Sequence, residues 1–500
     1  MQEIIIPELT AGFFIAVSLS RLFIRKLRNL EGLAWLPVLA LGVIIALFPA
    51  YGFRPECIPL LIYGIACAFF NMPVLVSLLT RSRNTGFKEH GPVFQALMPF
   101  LLLPVLGLAV FFAPVSDSAL LEAGVTSAVI WDEERGVELF LRIYGAYDDE
   151  GNVPQGKRQK PILVLIPPLN GSVPAIDVLC GKLRDAGFTT VAYSRRGFDS
   201  PAVGPRGEKY PLPPNRRARL FRAESRGRAT VASNEIGRSL EEERRRDIQF
   251  LLGFLRQNTP PAASGTPDAV IADALAGSDR PTVFLAGYDA GGAALLELAG
   301  SPDFAAQYPA VKGLIAVESP LLSVLREETP PVPPPHDNRF IALWLRIRSR
   351  AVALLPRRIS GIGEVPHPAV PVCFILSDRA MESRHRNDRY ATILKVLHST
   401  KMPTILAAAA GAGPLDYSDI PEKYPLYRVF RPGSKWSQSL SRGAHGPEET
   451  AALMTNFASA ILALGAEGTA PVLSRIPLSP QNFHIETNNG WNSLKKGSIL

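Results

Sequence analysis

The chain has 500 residues, more than one ordinary domain, so two or three units are expected. Apolar residues make up 47% of it, with a mean hydropathy of +0.13, and roughly the first 115 residues carry most of the excess. The net charge is +8, but the basic residues gather in loops beside apolar runs and in one arginine-rich loop. That placement favours anionic lipid over nucleic acid as the partner.

Four apolar runs open the chain: Leu9–Ile24, Leu33–Phe53, Ile58–Thr80 and Val93–Val115. A hydrocarbon core of about 30 Å needs about 20 apolar residues. The last three runs meet that length. The first is shorter and carries Arg21 near its end, where a long side chain can snorkel to the headgroups. The acidic start MQEIIIPE and the absence of a small-residue cleavage site argue against a cleaved signal peptide. The expectation is a bundle of about four transmembrane helices over residues 1–116. No span pairs an acid with a base, so a tether is expected rather than a transport path.

The connecting loops alternate in charge. The first holds Arg21, Arg25, Lys26 and Arg28, the third Arg81, Arg83 and Lys88, and an acidic segment from Asp117 to Glu134 follows the fourth run. Basic loops stay in the cytoplasm. The large C-terminal part is therefore expected on the extracytoplasmic side.

From Gly124 the pattern changes to strands alternating with helices, which implies a mostly parallel α/β sheet with helices on both faces. Val125–Trp131 and Gly136–Tyr144 read as an opening hairpin. Pro161–Ile166 reads as a buried strand, Ala175–Ala186 as a helix ended by Gly187, and Thr189–Tyr193 as the next strand. Glu235–Gln257 is a charged amphipathic helix. Thr282–Ala286 is a strand running into Gly287-Tyr288-Asp289-Ala290-Gly291-Gly292, and two more strands fall at Gly313–Val317 and Val372–Ser377. Of the four cysteines, Cys57 and Cys67 lie in apolar runs, Cys180 in a helix and Cys373 in a strand. Their spacing suggests no metal site, and buried thiols are expected. The segment 117–465 is one unit with insertions near 200–234 and 321–369. Residues 466–500, rich in Pro, Ser, Asn and Gly, read as a loosely ordered tail.

Taken in order, these features resemble the α/β-hydrolase superfamily over about Gly124 to Gly465. They are PILVLIPP followed by Asn170-Gly171, TTVAYSRRGF, VFLAGYDAGG, the strand ending at Asp378, and Gly443-Ala444-His445-Gly446 before a helix. The nucleophile elbow of that superfamily has the form G-x-S-x-G, with small flanking residues so that the chain can bend sharply. Here Gly287, Gly291 and Gly292 supply the flanks and Asp289 stands at the nucleophile position; no G-x-S-x-G occurs in the chain.

A carboxylate can form a covalent ester with an electrophilic carbon, which a His-activated water then hydrolyses. An aspartate at this turn is similar to that of haloalkane and fluoroacetate dehalogenases and epoxide hydrolases. The resemblance implies Asp289 as nucleophile, His445 as general base and Asp378 as orienting acid. Asp416 and Asp419 are alternatives for the acid, since Lys401–Arg431 reads as an insertion. The oxyanion site would pair the Ala290 N–H with one from Leu169 or Asn170. No metal and no cofactor are expected. His336, His367, His385 and His398 read as loop or helix-surface residues.

The expected substrate is a small or lipid-like molecule. Epoxide hydrolases protonate the opening ring with cap tyrosines, but 321–369 contains none, which leaves Tyr210 as the stand-in. Haloalkane dehalogenases often hold halide with a tryptophan beside the nucleophile. Here the neighbour is Ala290, and Trp344 would have to reach in from the cap. The segment Phe340–Leu355 sets Phe340, Leu343, Trp344, Ile347, Ala351 and Leu354 on one helical face, as a lid helix or a membrane-surface element would. Arg216–Arg228 is a second basic segment. The competing reading is a catalytically degenerate hydrolase-fold membrane protein that serves as a binding or scaffolding module.

Overall fold

A computed structural model of the chain describes residues 6–28, 30–51, 57–80, 92–111, 125–145, 161–168, 176–199, 202–205, 208–210, 213, 231–257, 282–319, 325–327, 359–362, 364–377, 388–409, 447–467 and 483–487. The apolar runs become helices α1 (Ile6–Ser20), α3 (Leu36–Tyr51), α4 (Ile58–Thr80) and α5 (Pro92–Phe111), with the short α2 (Arg25–Arg28) after the first. Helices α1 and α3, α3 and α4, α4 and α5, and α1 and α5 pack together. Ala11, Ile15, Ala40, Ile44, Leu60, Cys67 and Leu102 form part of their shared core. The Tyr63 hydroxyl on α4 donates to the Met98 carbonyl on α5.

Among the described residues one helix, Ile58–Thr80, is long and apolar enough to cross a membrane; Glu8–Ser20 and Glu31–Ala46 are apolar but shorter. A 15-residue helix such as α1 rises only about 22 Å. Four spans are therefore not supported at that count, although the apolar runs do form a bundle. Arg21 also departs from expectation. It does not snorkel outward but is 1% exposed, turned into the bundle just beyond α1.

The second part is a nine-stranded sheet in the order β1-β2-β4-β3-β7-β8-β11-β12-β13. Its strands are β1 (Val125–Asp132), β2 (Val137–Tyr144), β3 (Ile162–Ile166), β4 (Thr189–Arg195), β7 (Val283–Tyr288), β8 (Val311–Val317), β11 (Val372–Ser377), β12 (Thr404–Ala409) and β13 (Phe483–Thr487). The pairings from β4 through β12 are parallel, while β1–β2, β2–β4 and β12–β13 are antiparallel. Two small pairs lie outside the sheet: β5 (Ala202–Val203) with β6 (Lys209–Tyr210), and β9 (Leu325–Glu327) with β10 (Ile359–Ile362).

Both sheet faces are apolar, as continuous runs such as ILVLI and VFLAGY require of central parallel strands. Alternate residues go to opposite sides. Val283 and Leu285 of β7 meet α7 (Val231–Gln257), α8 (Ala290–Ala299), α9 (Phe304–Gln307) and α10 (Asp388–Ser399) on one face. Phe284, Ala286 and Tyr288 meet α6 (Asp177–Asp185) and α11 (Pro447–Glu467) on the other. This is the α/β-hydrolase-type architecture that the sequence implied. One part of the tail reading is corrected: residues 483–487 are a sheet strand, because Ile405–Ala409 leaves an edge that they pair with in register. The thiols of Cys57, Cys67, Cys180 and Cys373 are all buried.

Candidate active site at the end of strand β7

Strand β7 ends at Tyr288, and α8 begins two residues later at Ala290. The reversal falls on Asp289, with φ 52° and ψ −121°. A side-chain-bearing residue there is a strained outlier of the kind that clusters at functional sites. The surroundings hold it in place. Its N–H donates to the Val317 carbonyl on β8 at 2.8 Å, and its carbonyl accepts from Gly292 and Ala293, each at 3.1 Å. Its side chain makes no capping hydrogen bond to α8.

The three predicted glycines are required by close approach. A Cβ on Gly287 would lie 2.5 Å from the Gly292 nitrogen, and one on Gly292 would lie 1.8 Å from Ser319 Oγ. A Cβ on Gly291 would lie 2.7 Å from Ile166 Cγ2 and 2.9 Å from the Pro167 carbonyl oxygen. The start of α8 is thus pressed against the ends of β3, β7 and β8. Ala290 is the first helical residue, so its N–H has no acceptor within the helix and is available to an anion.

The structure brings Asp289, Ala290, Gly287, Gly291 and Gly292 together at this turn. His445, Asp378, Asp416, Asp419, Leu169, Asn170 and Trp344 lie outside the described residues, as do Phe340–Leu355 and Arg216–Arg228. Asp378 is the next residue in the chain after Ser377, the last residue of β11. Tyr210 is committed elsewhere. It stacks on Phe140 with ring centroids 5.2 Å apart, and the Arg196 guanidinium lies 4.5 Å over its ring. Phe140 belongs to β2, separated from β7 by β4 and β3. His367 and His398 are exposed. Among the described residues no His, Cys, Asp and Glu cluster could hold a metal ion.

One residue at this edge was not anticipated. Glu318 follows β8 and is the other non-glycine residue with positive φ among those described, at 50°. Its N–H donates to the Ile375 carbonyl at 2.9 Å, and its carboxylate accepts from the Ser377 N–H. Tyr288 pairs with Val317, so Asp289 and Glu318 are the next residues on adjacent parallel strands. The Glu318 carboxyl is pushed up to about 7, chiefly by desolvation; the Ser377 hydrogen bonds oppose the rise and the Asp289 charge adds a smaller part to it. The sequence signal would have been an acid directly after an apolar strand, the feature that also marked Asp378. The strained backbone that distinguishes Glu318 leaves no trace in composition.

A second charged assembly lies on β4 and α7. Arg244 and Asp199, both fully buried, meet at 2.5 Å. Arg195 and Arg135 both reach Asp247, at 3.1 and 2.7 Å. On the opposite face Arg142 and Tyr144 hold Asp177.

A family model described as the TP_0976_N N-terminal domain matches residues 2–112, the helical region. No curated protein matches the chain. Among solved structures it is similar to a ferulic acid esterase from Streptomyces cinnamoneus, at 14% identity over 75% of this chain and 98% of that one, with a TM-score of 0.41. It is also similar to the α/β hydrolase GrgF from Penicillium sp. sh18, at 14% identity over 59% and 92% of the two chains, TM-score 0.31. A dienelactone hydrolase from Anabaena variabilis matches at 14% identity over 58% and 88%, TM-score 0.29. The fold assignment rests on the sheet order and the elbow described above, and none of these proteins assigns an activity.

Proposed function

We propose that the chain is a membrane-anchored hydrolase that works through a covalent ester on Asp289. The observation that carries this reading is the strained turn. A carboxylate stands at φ 52° between a buried strand and a helix N-terminus, in a backbone conformation that only a tight surrounding structure sustains. In the first half-reaction an Asp289 oxygen attacks an electrophilic carbon, a C–O bond forms and the leaving group departs. In the second, a water activated by His445 attacks the ester carbonyl. The Ala290 N–H, with Leu169 or Asn170, stabilises the resulting oxyanion. Asp378 orients His445, with Asp416 the alternative. Neither half-reaction calls for a metal or a cofactor.

The anchor is the helical region. Its outer surface carries Phe13, Phe69, Phe100 and Leu103, between 63% and 72% exposed, which supports contact with lipid tails. The basic first and third loops support a reading in which the hydrolase part lies outside the cytoplasm. A substrate drawn from or near the bilayer, small or lipid-like, suits that placement.

The test is to trap the ester. The full-length His445→Asn variant is incubated with a panel of epoxides, haloalkanes and activated esters, then digested for mass spectrometry. A stable mass increase on the peptide bearing Asp289 is expected. No adduct, together with no turnover by the wild type on any class, would move the protein to the scaffolding reading.

A further inference from the structure

The chain between α1 and α3 makes its own hydrogen bonds. The Arg21 N–H donates to the Ser18 carbonyl, Ile24 to Ser20, Leu27 to Ile24, Leu30 to Leu27 and Leu33 to Leu30, all at 2.9–3.4 Å. The Ser20 hydroxyl donates back to the Val17 carbonyl at 2.6 Å. A surface loop in water ordinarily leaves many such groups to solvent. Where water is scarce, backbone groups must instead be met within the chain.

The side chains follow the same division. Leu22 and Ala34 are buried, and the 3₁₀ turn Glu31–Trp35 packs against α1, α3 and α4. On the outside stand Phe23, Ile24, Leu30 and Trp35, between 37% and 59% exposed. Lys26 is exposed among them on α2, whose sequence is Arg-Lys-Leu-Arg. Arg21 is turned inward instead, where the charge of Glu31 reaches it. Basic residues outnumber acids in the segment, with Arg21, Arg25, Lys26 and Arg28 against Glu31. Large apolar groups and a tryptophan facing outward beside cations suit the boundary between acyl chains and headgroups.

The length of α1 sets the depth. A 15-residue helix rises about 22 Å, less than a hydrocarbon core of about 30 Å. A connection that follows it directly therefore starts within that boundary rather than beyond it. We infer that residues 21–35 are an in-plane lipid-binding element. Phe23, Ile24, Leu30 and Trp35 lie among the upper acyl chains, and Lys26 meets the phosphate of an anionic phospholipid. This rests on the membrane anchor proposed above and is independent of the Asp289 chemistry. In the orientation given there, the element faces the cytoplasmic leaflet, whose anionic lipids favour each basic residue at the surface about fivefold.

Depth and lipid preference can be read together. The four native thiols are buried, so a cysteine placed at Phe23, or at Phe69 on α4 for comparison, directs an environment-sensitive NBD label. Both positions are well exposed, so neither change breaks packing. Each full-length variant is reconstituted in phosphatidylcholine vesicles. The vesicles are doped with either phosphatidylglycerol or phosphatidylcholine that carries a doxyl group high on the acyl chain, and iodide is the aqueous quencher.

The label on Phe23→Cys should be quenched by doxyl lipid and shielded from iodide, and Leu30→Cys should repeat the result. Doxyl phosphatidylglycerol should associate about fivefold better than doxyl phosphatidylcholine there, and high salt should erase the difference. Adding Lys26→Glu should remove the preference and leave the depth unchanged. The label on Phe69→Cys should be quenched equally by the two lipids. Iodide quenching at Phe23 with doxyl quenching at Phe69 would put the connection in water, so the inference falls and the anchor stands. Equal quenching by the two lipids at Phe23, or the same preference at Phe69, would overturn the headgroup site. Iodide quenching at both positions would overturn the anchor itself.

Discussion

A non-glycine residue held at φ 52° and ψ −121° costs on the order of 1–3 kcal/mol, and glycine adopts that conformation freely. Asp289→Gly should therefore raise thermal stability while abolishing ester formation. The net gain should be about 1 kcal/mol, because glycine also loses more entropy on folding. Asp289→Ala removes the carboxylate and keeps the strain, so the difference in Tm between the two variants isolates the backbone contribution. A Gly variant no more stable than the Ala variant would mean that the turn stores no strain.

Glu318 gives a pH-dependent counterpart. Its folded value of about 7 lies above the ordinary glutamate value of 4.5, so the folded state binds the proton more tightly than the unfolded state. That contribution is complete below about pH 4.5 and is lost as pH rises through 7. Relative to wild type, Glu318→Gln should gain roughly 2–3 kcal/mol between pH 4.5 and 8.5. Denaturant midpoints at the two pH values measure it; a difference that does not change with pH rules the shift out. Asp289 was legible in the sequence because glycines must flank a sharp elbow and because the strand before it is wholly apolar. Glu318 was not, because its turn needs no glycine and its carboxyl is defined by a neighbour on another strand.

At the scale of elements, the charged helix α7 is held to the sheet by buried ion pairs. Arg244 and Asp199 are both fully buried and meet at 2.5 Å. Removing one partner of such a pair leaves a desolvated charge and costs about 3–5 kcal/mol, whereas replacing both with apolar residues of similar size is far milder. Asp199→Leu should therefore destabilise the sheet-containing part strongly, and adding Arg244→Met should recover most of the loss. Chemical denaturation of the wild type, Asp199→Leu, Arg244→Met and the double variant forms a double-mutant cycle. A double variant as unstable as the sum of its singles would show that the pair acts through separate contacts.

The helix itself was legible, predicted over Glu235–Gln257 and observed over Val231–Gln257. Its partners were not, because charges spaced along a helix read as a solvated face until Asp199 is placed beneath Arg244, and Arg195 and Arg135 beside Asp247. Strand β13 was missed for a related reason. FHIET alternates apolar and polar residues, but a run of five in a stretch rich in Asn, Ser and Pro is too short to stand out, and the open edge of β12 that recruits it is far away in sequence.

For the whole molecule the deciding surface is the exterior of the helical region. Leu9, Phe13, Leu39, Ile45, Ile62, Phe69, Leu79, Phe100 and Leu103 are exposed there, on α1, α3, α4 and α5. By contrast, the sheet-containing part contributes little besides Trp131 and Leu462 to the exposed large apolar side chains among the described residues. A protein bathed wholly in water rarely leaves so wide an apolar surface open, whereas lipid tails cover it at no cost. The two environments predict opposite responses to one substitution. Leu103 is 72% exposed on α5, so Leu103→Arg breaks no packing inside the bundle. In lipid the arginine costs about 2.5–3.5 kcal/mol near the middle of a span, and the variant should lose membrane-integrated protein. In water it would raise solubility and leave stability unchanged. Expressing both proteins and washing the membranes with alkaline carbonate distinguishes these outcomes: wild type should stay in the pellet and the arginine variant should be depleted from it. A variant recovered in the soluble fraction with unaltered stability would remove the membrane anchor from the proposed function and leave the Asp289 chemistry to be judged by itself.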